Sequence, residues 1–269
     1  MIIDFHTHVF PDKIAGSTIG ALSNNSGTRA HTDGTVQGML DALDRANADI
    51  AITLPVLTKP TQFDSVAKFA LSVNECFKDS KRKLISFAGM HPDCENVEEK
   101  MLYLKSVGFK GIKIHPDYQN TFFDDPKYIN IIKLAKKYDL IVVTHAGVDD
   151  GYKDQPVRCT VDRALSVIEQ VDYGKLVLGH FGGHKLWEEV YEKLAGKNVY
   201  FDTAFTFHEI QKDLFVKILD KHGVDKVLFA TDCPWRDIKD DFDILSSYGL
   251  KSADMDKITH LNAIKLLGI

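Results

Sequence analysis

Cysteine is scarce in this sequence and poorly placed for cross-linking. Cys76, Cys94, Cys159 and Cys233 lie far apart, with no Cys-x-x-Cys pair among them. A chain of 269 residues can bury its core without disulfides, so a reduced, cytoplasmic protein is expected. Long apolar runs are missing as well. No stretch reaches the roughly 18 residues of a membrane-spanning helix, so none is expected. The first residues lack the basic region and apolar core of a signal peptide. Positive charge is not in excess: 33 Lys and Arg against 38 Asp and Glu give a net charge of -5. With no basic arm or aromatic-basic stripe, nucleic acid is not an expected partner. No Gly-x-Gly-x-x-Gly follows an early apolar run, which leaves a dinucleotide-binding fold without support. There is no Pro/Gly/Ser-rich linker either, and residues 1–269 read as a single domain.

What the sequence does hold is a rhythm of short apolar runs. Strands are predicted over 2–8, 50–55, 84–90, 111–115, 140–144, 175–178, 198–202 and 227–230. Apolar residues recur at helical spacing between most of them, as Val36, Met39, Leu40 and Leu43 do over 35–47. Helices are also predicted over 62–79, 96–106, 126–138, 161–170, 184–195, 209–222, 237–247 and 252–267. The polar stretch after the first run, through Asn24 to Thr28, reads as a long connection able to cover a site. Strands alternating with helices call for parallel pairing. Eight such units fit an α/β fold of the (β/α)₈ TIM-barrel type. A doubly wound open sheet explains the count less well.

Histidine and aspartate gather at the C-terminal ends of these strands. They are His6, His8, His91, His115, His145, His180 and Asp232. In a barrel all such ends meet at one rim, so groups distant in sequence share one pocket. His6 and His8 stand two apart, on one side of a regular strand. His-x-His alone also describes two polar residues on a solvated edge. Together with His145, His180 and Asp232 it gives a nitrogen and carboxylate set suited to Zn²⁺, Fe²⁺ or Mn²⁺. Asp232 has a plainer reading as a helix N-cap.

Lys113 shares a strand face with His115 and would sit deeper in the barrel. A buried lysine needs a partner or a modification. It reads as a support, with Asp4 or Asp202 as partner at similar depth, in preference to a carbamate bridging two metals. His91 and His115 are candidates for binding substrate or orienting a ligand. Arg158 and Arg236 could grip a substrate carboxylate in a bidentate way, and His208 joins them as a substrate-binding candidate. His31, His184, His222 and His260 have nothing tying them to the rim. Cys233 reads as neighbouring structure, and Trp187 with the aromatics of 201–207 as packing.

The segments DFHTH (4–8), GIKIHP (111–116), THAG (144–147), GHFGG (179–183), ATDCPW (230–235) and HLNAIKLLG (260–268) span the chain. In order and spacing they resemble the amidohydrolase superfamily. The nearest likeness is to the amidohydrolase-related branch that includes aminocarboxymuconate-semialdehyde decarboxylase. The resemblance implies a barrel with a divalent metal, Zn²⁺ first. It makes His6, His8, His145 and His180 ligand positions, and Asp232 a metal-binding proton relay. The lysine of GIKIHP also occurs in mononuclear members, so two metals are not implied. Asp4 stands before Phe5-His6 where some decarboxylases use a glutamate. The first expectation is therefore hydrolysis of an amide, ester or lactone bond in a small polar molecule. Asp232 would move the proton and His180 would orient the water. Decarboxylation of a small aromatic or unsaturated acid is the alternative, and a non-catalytic small-molecule-binding barrel a third reading. A homodimer is a family-level expectation.

Overall fold

The computed structural model describes residues 1–77 and 79–269. Its strands are β1 (Ile3–Thr7), β2 (Ile50–Thr53), β3 (Lys83–Ser86), β4 (Ala88–Gly89), β5 (Gly111–Ile114), β6 (Ile141–Thr144), β7 (Leu176–Leu178), β8 (Tyr200–Asp202) and β9 (Val227–Leu228). Most are Ile/Val/Leu-rich and buried on both faces, as parallel strands inside a helical shell must be. Every pairing is parallel: β1–β2–β3 in one run and β4 to β9 in consecutive order in the other.

Two junctions join the runs into a ring. β3 passes into β4 across Phe87, whose N–H donates to Thr53 O at 2.9 Å. These are halves of the one strand expected over 84–90, broken where it changes partner. At the other junction Thr7 bridges Cys233, and Phe5 N–H donates to Phe229 O at 2.9 Å. Asp232 N–H donates to His6 O at 2.8 Å and His8 N–H to Cys233 O at 2.7 Å. The architecture is the TIM barrel, with eight barrel positions filled by these strands.

The helices follow as α1 (Asp12–Ser26), α2 (Val36–Ala46), α3 (Phe63–Phe77), α4 (Val97–Ser106), α5 (Pro126–Tyr138) and α6 (Val161–Val171). Then come α7 (Trp187–Glu189), α8 (Lys212–His222), α9 (Ile238–Ser247), α10 (Ser252–Asp256) and α11 (Asn262–Leu267). Several start on a side-chain cap: Thr35 takes the Gly38 N–H, and Asp125 the Lys127 N–H ahead of Pro126. Their apolar stripes, such as Met39, Leu104, Ile131 and Phe215, form the outer core against the strands. The inner core fills the barrel with Phe5, Ile52, Phe87, Val143, Val177 and Leu228. Ala263, Leu266 and Leu267 of α11 pack with the same cluster.

Several predicted elements differ from the fold. The polar stretch after β1 is not a loop: it forms α1, ended by Gly27 at φ 75°. Only Ala15 of that helix is buried, so no apolar stripe marked it. The helix expected over 62–79 runs Phe63–Phe77, and residue 78 lies outside the described residues. The helix of 184–195 is the short α7 continuing as a π-helical turn, Val190–Leu194. A second π turn, Lys257–Leu261, interrupts the helix of 252–267.

The difference that matters most lies in β1. Asp4 aligns with Ala51 but Thr7 with Thr53, so β1 carries one extra residue. This bulge lets Phe5 join the inner core while the next residue, His6, turns into the mouth. Asp4 is thereby directed away from Lys113. Its carboxyl binds Thr231 instead, with Oδ2 2.5 Å from the hydroxyl and Oδ1 accepting the Thr231 N–H at 3.1 Å. Asp4 is therefore not the lysine's partner, and burial pushes its carboxyl up to about 8.

Candidate metal centre

The C-terminal ends of β1, β5, β6, β7 and β9 open into one cavity of about 620 Å³. His6, His8, Lys113, His115, His145, His180 and Asp232 all line it. The turns that carry them are tight. His180, Phe181 and Gly182 run consecutively through left-handed backbone at φ 57°, 55° and 84°, and Asp232 sits at φ 70°. Asp202 Oδ1 secures the first turn by accepting the N–H of His180 at 3.0 Å and of Ala204 at 3.1 Å.

The hydrogen bonds fix which ring nitrogens carry protons. A carbonyl oxygen only accepts, so a nitrogen facing one is an N–H. His8 Nδ1 donates to Leu54 O at 2.9 Å and His180 Nδ1 to Ala204 O at 3.0 Å. His6 Nδ1 donates to Asp202 Oδ2 at 2.9 Å. Each neutral ring then presents a bare Nε2. The Nε2 of His180 takes the proton of His145 Nδ1 at 2.9 Å. That leaves His145 Nε2 as a buried acceptor with no hydrogen-bond partner. Burial lowers the pKa of His6, His145 and His180 well below the usual imidazole value, which keeps these rings neutral.

These bare nitrogens converge with a carboxylate. Asp232 Oδ1 is 3.0 Å from His8 Nε2 and 3.5 Å from His6 Nε2. Acceptors this close repel unless a proton or a cation lies between them. Two imidazoles and a carboxylate, all within 4.8 Å of one another, suit a borderline divalent ion. His145 instead lies within that distance of His115 and Asp149. Lys113 Nζ donates to His6 Nε2 at 2.8 Å, and burial lowers its pKa to about 8. Asp202, across from it, is raised to about 6 by burial, an effect that Lys113 opposes. Asp232 is no helix cap: α9 begins six residues later and is capped by Asp237.

Other predicted residues do not reach this cavity. His91 lines a separate groove with Asp93 and Lys127, which shares Thr58 and Tyr118 with the main cavity. The buried Arg158 turns to Asp117, 3.7 Å away, and to Asn120. Arg236 and His208 bind each other and both approach Asp241 Oδ1 at 3.3 Å. Both arginines are turned toward internal carboxylates, and neither lines the cavity.

The cavity gains residues the strand ends did not mark: Tyr118, Asp149, Tyr152, His184, Phe205 and Trp235. His184 arrives through a parallel bridge to Gly147. A Cβ on Gly147, at φ 88°, would stand 2.1 Å from His184 N, so only glycine permits that approach. The signal was the spacing GHFGGH, with His184 four residues past His180. Trp187, read as packing, also donates its indole N–H to His180 O at 3.1 Å.

The sequence model of the amidohydrolase family matches residues 3–269, and the chain belongs to that family. No curated protein matches its sequence. Among solved structures it is similar to 2,6-dihydroxybenzoate decarboxylase from Rhizobium, with TM-score 0.68, 17% identity and coverage of 99% of this chain and 98% of that one. It is also similar to 5-carboxyvanillate decarboxylase from Sphingomonas paucimobilis, with TM-score 0.69, 13% identity and coverage of 100% and 99%. A third is a dihydroxybenzoic acid decarboxylase from Polaromonas, bearing manganese and the inhibitor 2-nitroresorcinol, with TM-score 0.69, 16% identity and coverage of 99% and 96%. At these identities the likeness is one of fold. No helix among the described residues is long and apolar enough to cross a membrane.

Proposed function

We propose that this chain is a metal-dependent, non-oxidative decarboxylase of a small aromatic or unsaturated carboxylic acid. The observation that carries the reading is the contrast between floor and walls of the cavity. Acceptor groups converge at His6, His8 and Asp232, while Leu22, Val56, Val66, Phe69, Phe205 and Trp235 supply apolar wall. Hydrolysis of a small polar molecule, the first expectation, has less use for such walls. Among the described residues no arginine lines the cavity to hold a carboxylate elsewhere. An acid entering it would meet its counter-charge at the floor, where His6, His8 and Asp232 would hold a divalent ion beside the departing carboxylate. Apolar surroundings also disfavour the localised carboxylate relative to neutral carbon dioxide. The decarboxylase relatives of the same fold support this choice over hydrolysis.

His6, His8 and Asp232 would hold a divalent ion, with His145 Nε2 as a further donor from the same cavity. Such an ion supplies positive charge for the carboxylate. Zn²⁺, Mn²⁺ and Fe²⁺ are the ions to try. Asp202 fixes the His6 ring, and His180 fixes that of His145. Asp232 relays a proton to the carbon that loses the carboxylate. The C–C bond breaks, its electron pair takes that proton, and carbon dioxide leaves.

The test is a panel of aromatic and unsaturated acids, lactones and amides assayed with each ion, following carbon dioxide and hydrolysed products together. Carbon dioxide release that fails in Asp232→Asn with metal still bound is the expected result. Hydrolysis without carbon dioxide would return the first expectation. Tight binding with no turnover would favour the non-catalytic barrel.

A further inference from the structure

Two helices, α1 and α3, each turn one face into the cavity. On α1 the face is Ile14, Thr18, Leu22 and Ser26, spaced by four and so stacked on one side of the helix. On α3 it is Val66 and Phe69. Polar atoms beside these residues are spent within their own segments. Ser26 Oγ donates back to Leu22 O and Ser65 Oγ to Gln62 O, both at 3.0 Å. Gln62 Oε1 accepts the N–H of Thr58 at 2.8 Å and of Lys59 at 3.0 Å. What these walls offer the cavity is mainly hydrocarbon.

The anchoring of α1 uses other residues. Ala15 is buried, and Ile19 lies against Gly34, where an added Cβ would stand 2.6 Å from Ile19 Cγ1. Phe10 N–H donates to Gly34 O at 2.8 Å and ties the start of the helix to the same point. Ile14 and Leu22 belong to neither the outer nor the inner core. Exposure rises from 1% at His6 and 9% at Asp232 to 48% at Ile14, which sets the acceptor floor deep and the α1 face toward the opening. The cavity of about 620 Å³ falls within the roughly 300–1,000 Å³ of sites that enclose drug-sized ligands, more than a single-ring acid fills. Apolar surface left facing water in such a cleft is stabilised when hydrocarbon covers it.

We infer that the facing residues of α1 and α3 form a hydrocarbon-binding subsite, which takes an alkyl substituent of several carbons on the acid whose carboxylate lies at the floor. The substrate class is then an amphiphilic acid, an aromatic or unsaturated carboxylate with an alkyl chain, in place of a compact single ring. This deepens the decarboxylase reading and rests on it for the position of the carboxylate. Leu22 and Val66 then determine specificity: they meet the chain and stay clear of the reacting atoms.

The experiment is calorimetric titration of the full chain, with Mn²⁺ supplied, using benzoate, 3-butylbenzoate and 4-butylbenzoate. A buried methylene is worth about fourfold in affinity, so at least one butyl acid is expected to bind roughly 30-fold or more tightly than benzoate. In Leu22→Asn and in Val66→Asn that ratio is expected to fall about tenfold, because a polar amide then borders the chain. Taking the ratio within each protein cancels a general effect on folding or metal loading. A ratio near one in the parent protein overturns the inference, as does a large ratio that survives either variant. A dimer in sedimentation that Leu22→Asn dissociates would give the α1 face to a second copy and also overturns it. Benzyl alcohol and 4-butylbenzyl alcohol repeat the comparison without a carboxylate. An alkyl advantage in that pair, removed by both variants, upholds the subsite even where no acid releases carbon dioxide, a result that refutes the parent reading alone. Carbon dioxide release with no alkyl advantage in either series refutes this inference alone.

Discussion

His6 Nδ1 lies 2.9 Å from Asp202 Oδ2, and the two side chains are 1% and 0% exposed. The pair sets the tautomer of His6, because the carboxylate takes the Nδ1 proton and leaves Nε2 bare toward Asp232. Asp202→Asn keeps the shape and removes the charge. It is expected to weaken Mn²⁺ binding by about 10- to 100-fold, measured calorimetrically. Unaltered affinity would mean that His6 is oriented without Asp202.

Lys113 Nζ occupies the same His6 Nε2 that a cation would use, at 2.8 Å. Lys113→Met removes the competitor and keeps the length. One Mn²⁺ per chain is expected, held as tightly as in the parent or up to about tenfold more tightly, the worth of one hydrogen bond. If the lysine were a carbamate bridging two ions, elemental analysis would show the metal content drop instead.

Asp241 is wholly buried beside Arg236, and its Oδ2 has no hydrogen-bond partner. Burial raises its pKa from 3.8 to about 7, against the pull of Arg236. The folded state therefore holds this proton more firmly than the unfolded one. The resulting stability is full below the unfolded value and is lost as pH rises through about 7. Asp241→Asn does not ionise, so parent and variant should diverge as pH climbs from 4 to 7. The parent loses up to about 4 kcal/mol relative to the variant. Urea unfolding at several pH values checks this, and parallel curves would refute it.

Phe5 is fully buried in the inner core and meets Phe87 edge-on at 6.0 Å between ring centroids. Phe5→Ala should cost about 3–5 kcal/mol in urea unfolding. A loss below about 1 kcal/mol would show that the barrel interior collapses around the gap.

Much of the barrel was legible because parallel strands must be apolar on both faces, and runs such as IAITLP show it directly. His6, His8 and Asp232 were legible for a related reason: polar groups closing such runs have only the rim to occupy. The bulge in β1 was not. Strict alternation placed Asp4 and His6 on one face, and only the pairing with β2 reveals the extra residue. The α1 helix escaped because it covers the mouth and buries almost nothing, so it carries no stripe. Arg158 and Arg236 were misplaced for want of their partners, Asp117 and Asp241, whose proximity depends on the tertiary fold. His184 and Asp149 enter the cavity through loop geometry that strand patterns do not encode.

The seam between β1 and the segment after β9 gives the centre a place in time. His6 and Asp232 are linked backbone to backbone across it at 2.8 Å, yet 226 residues of synthesis separate them (232 minus 6). A growing chain can pair β1 with β2 early, but its candidate ion-binding floor is incomplete until the last strand docks. At about 5–20 residues per second, His6 and His8 wait tens of seconds for their carboxylate. On the proposed reading, acquisition of the ion would thus be a late event, and a trapped ion would record that the ring has closed.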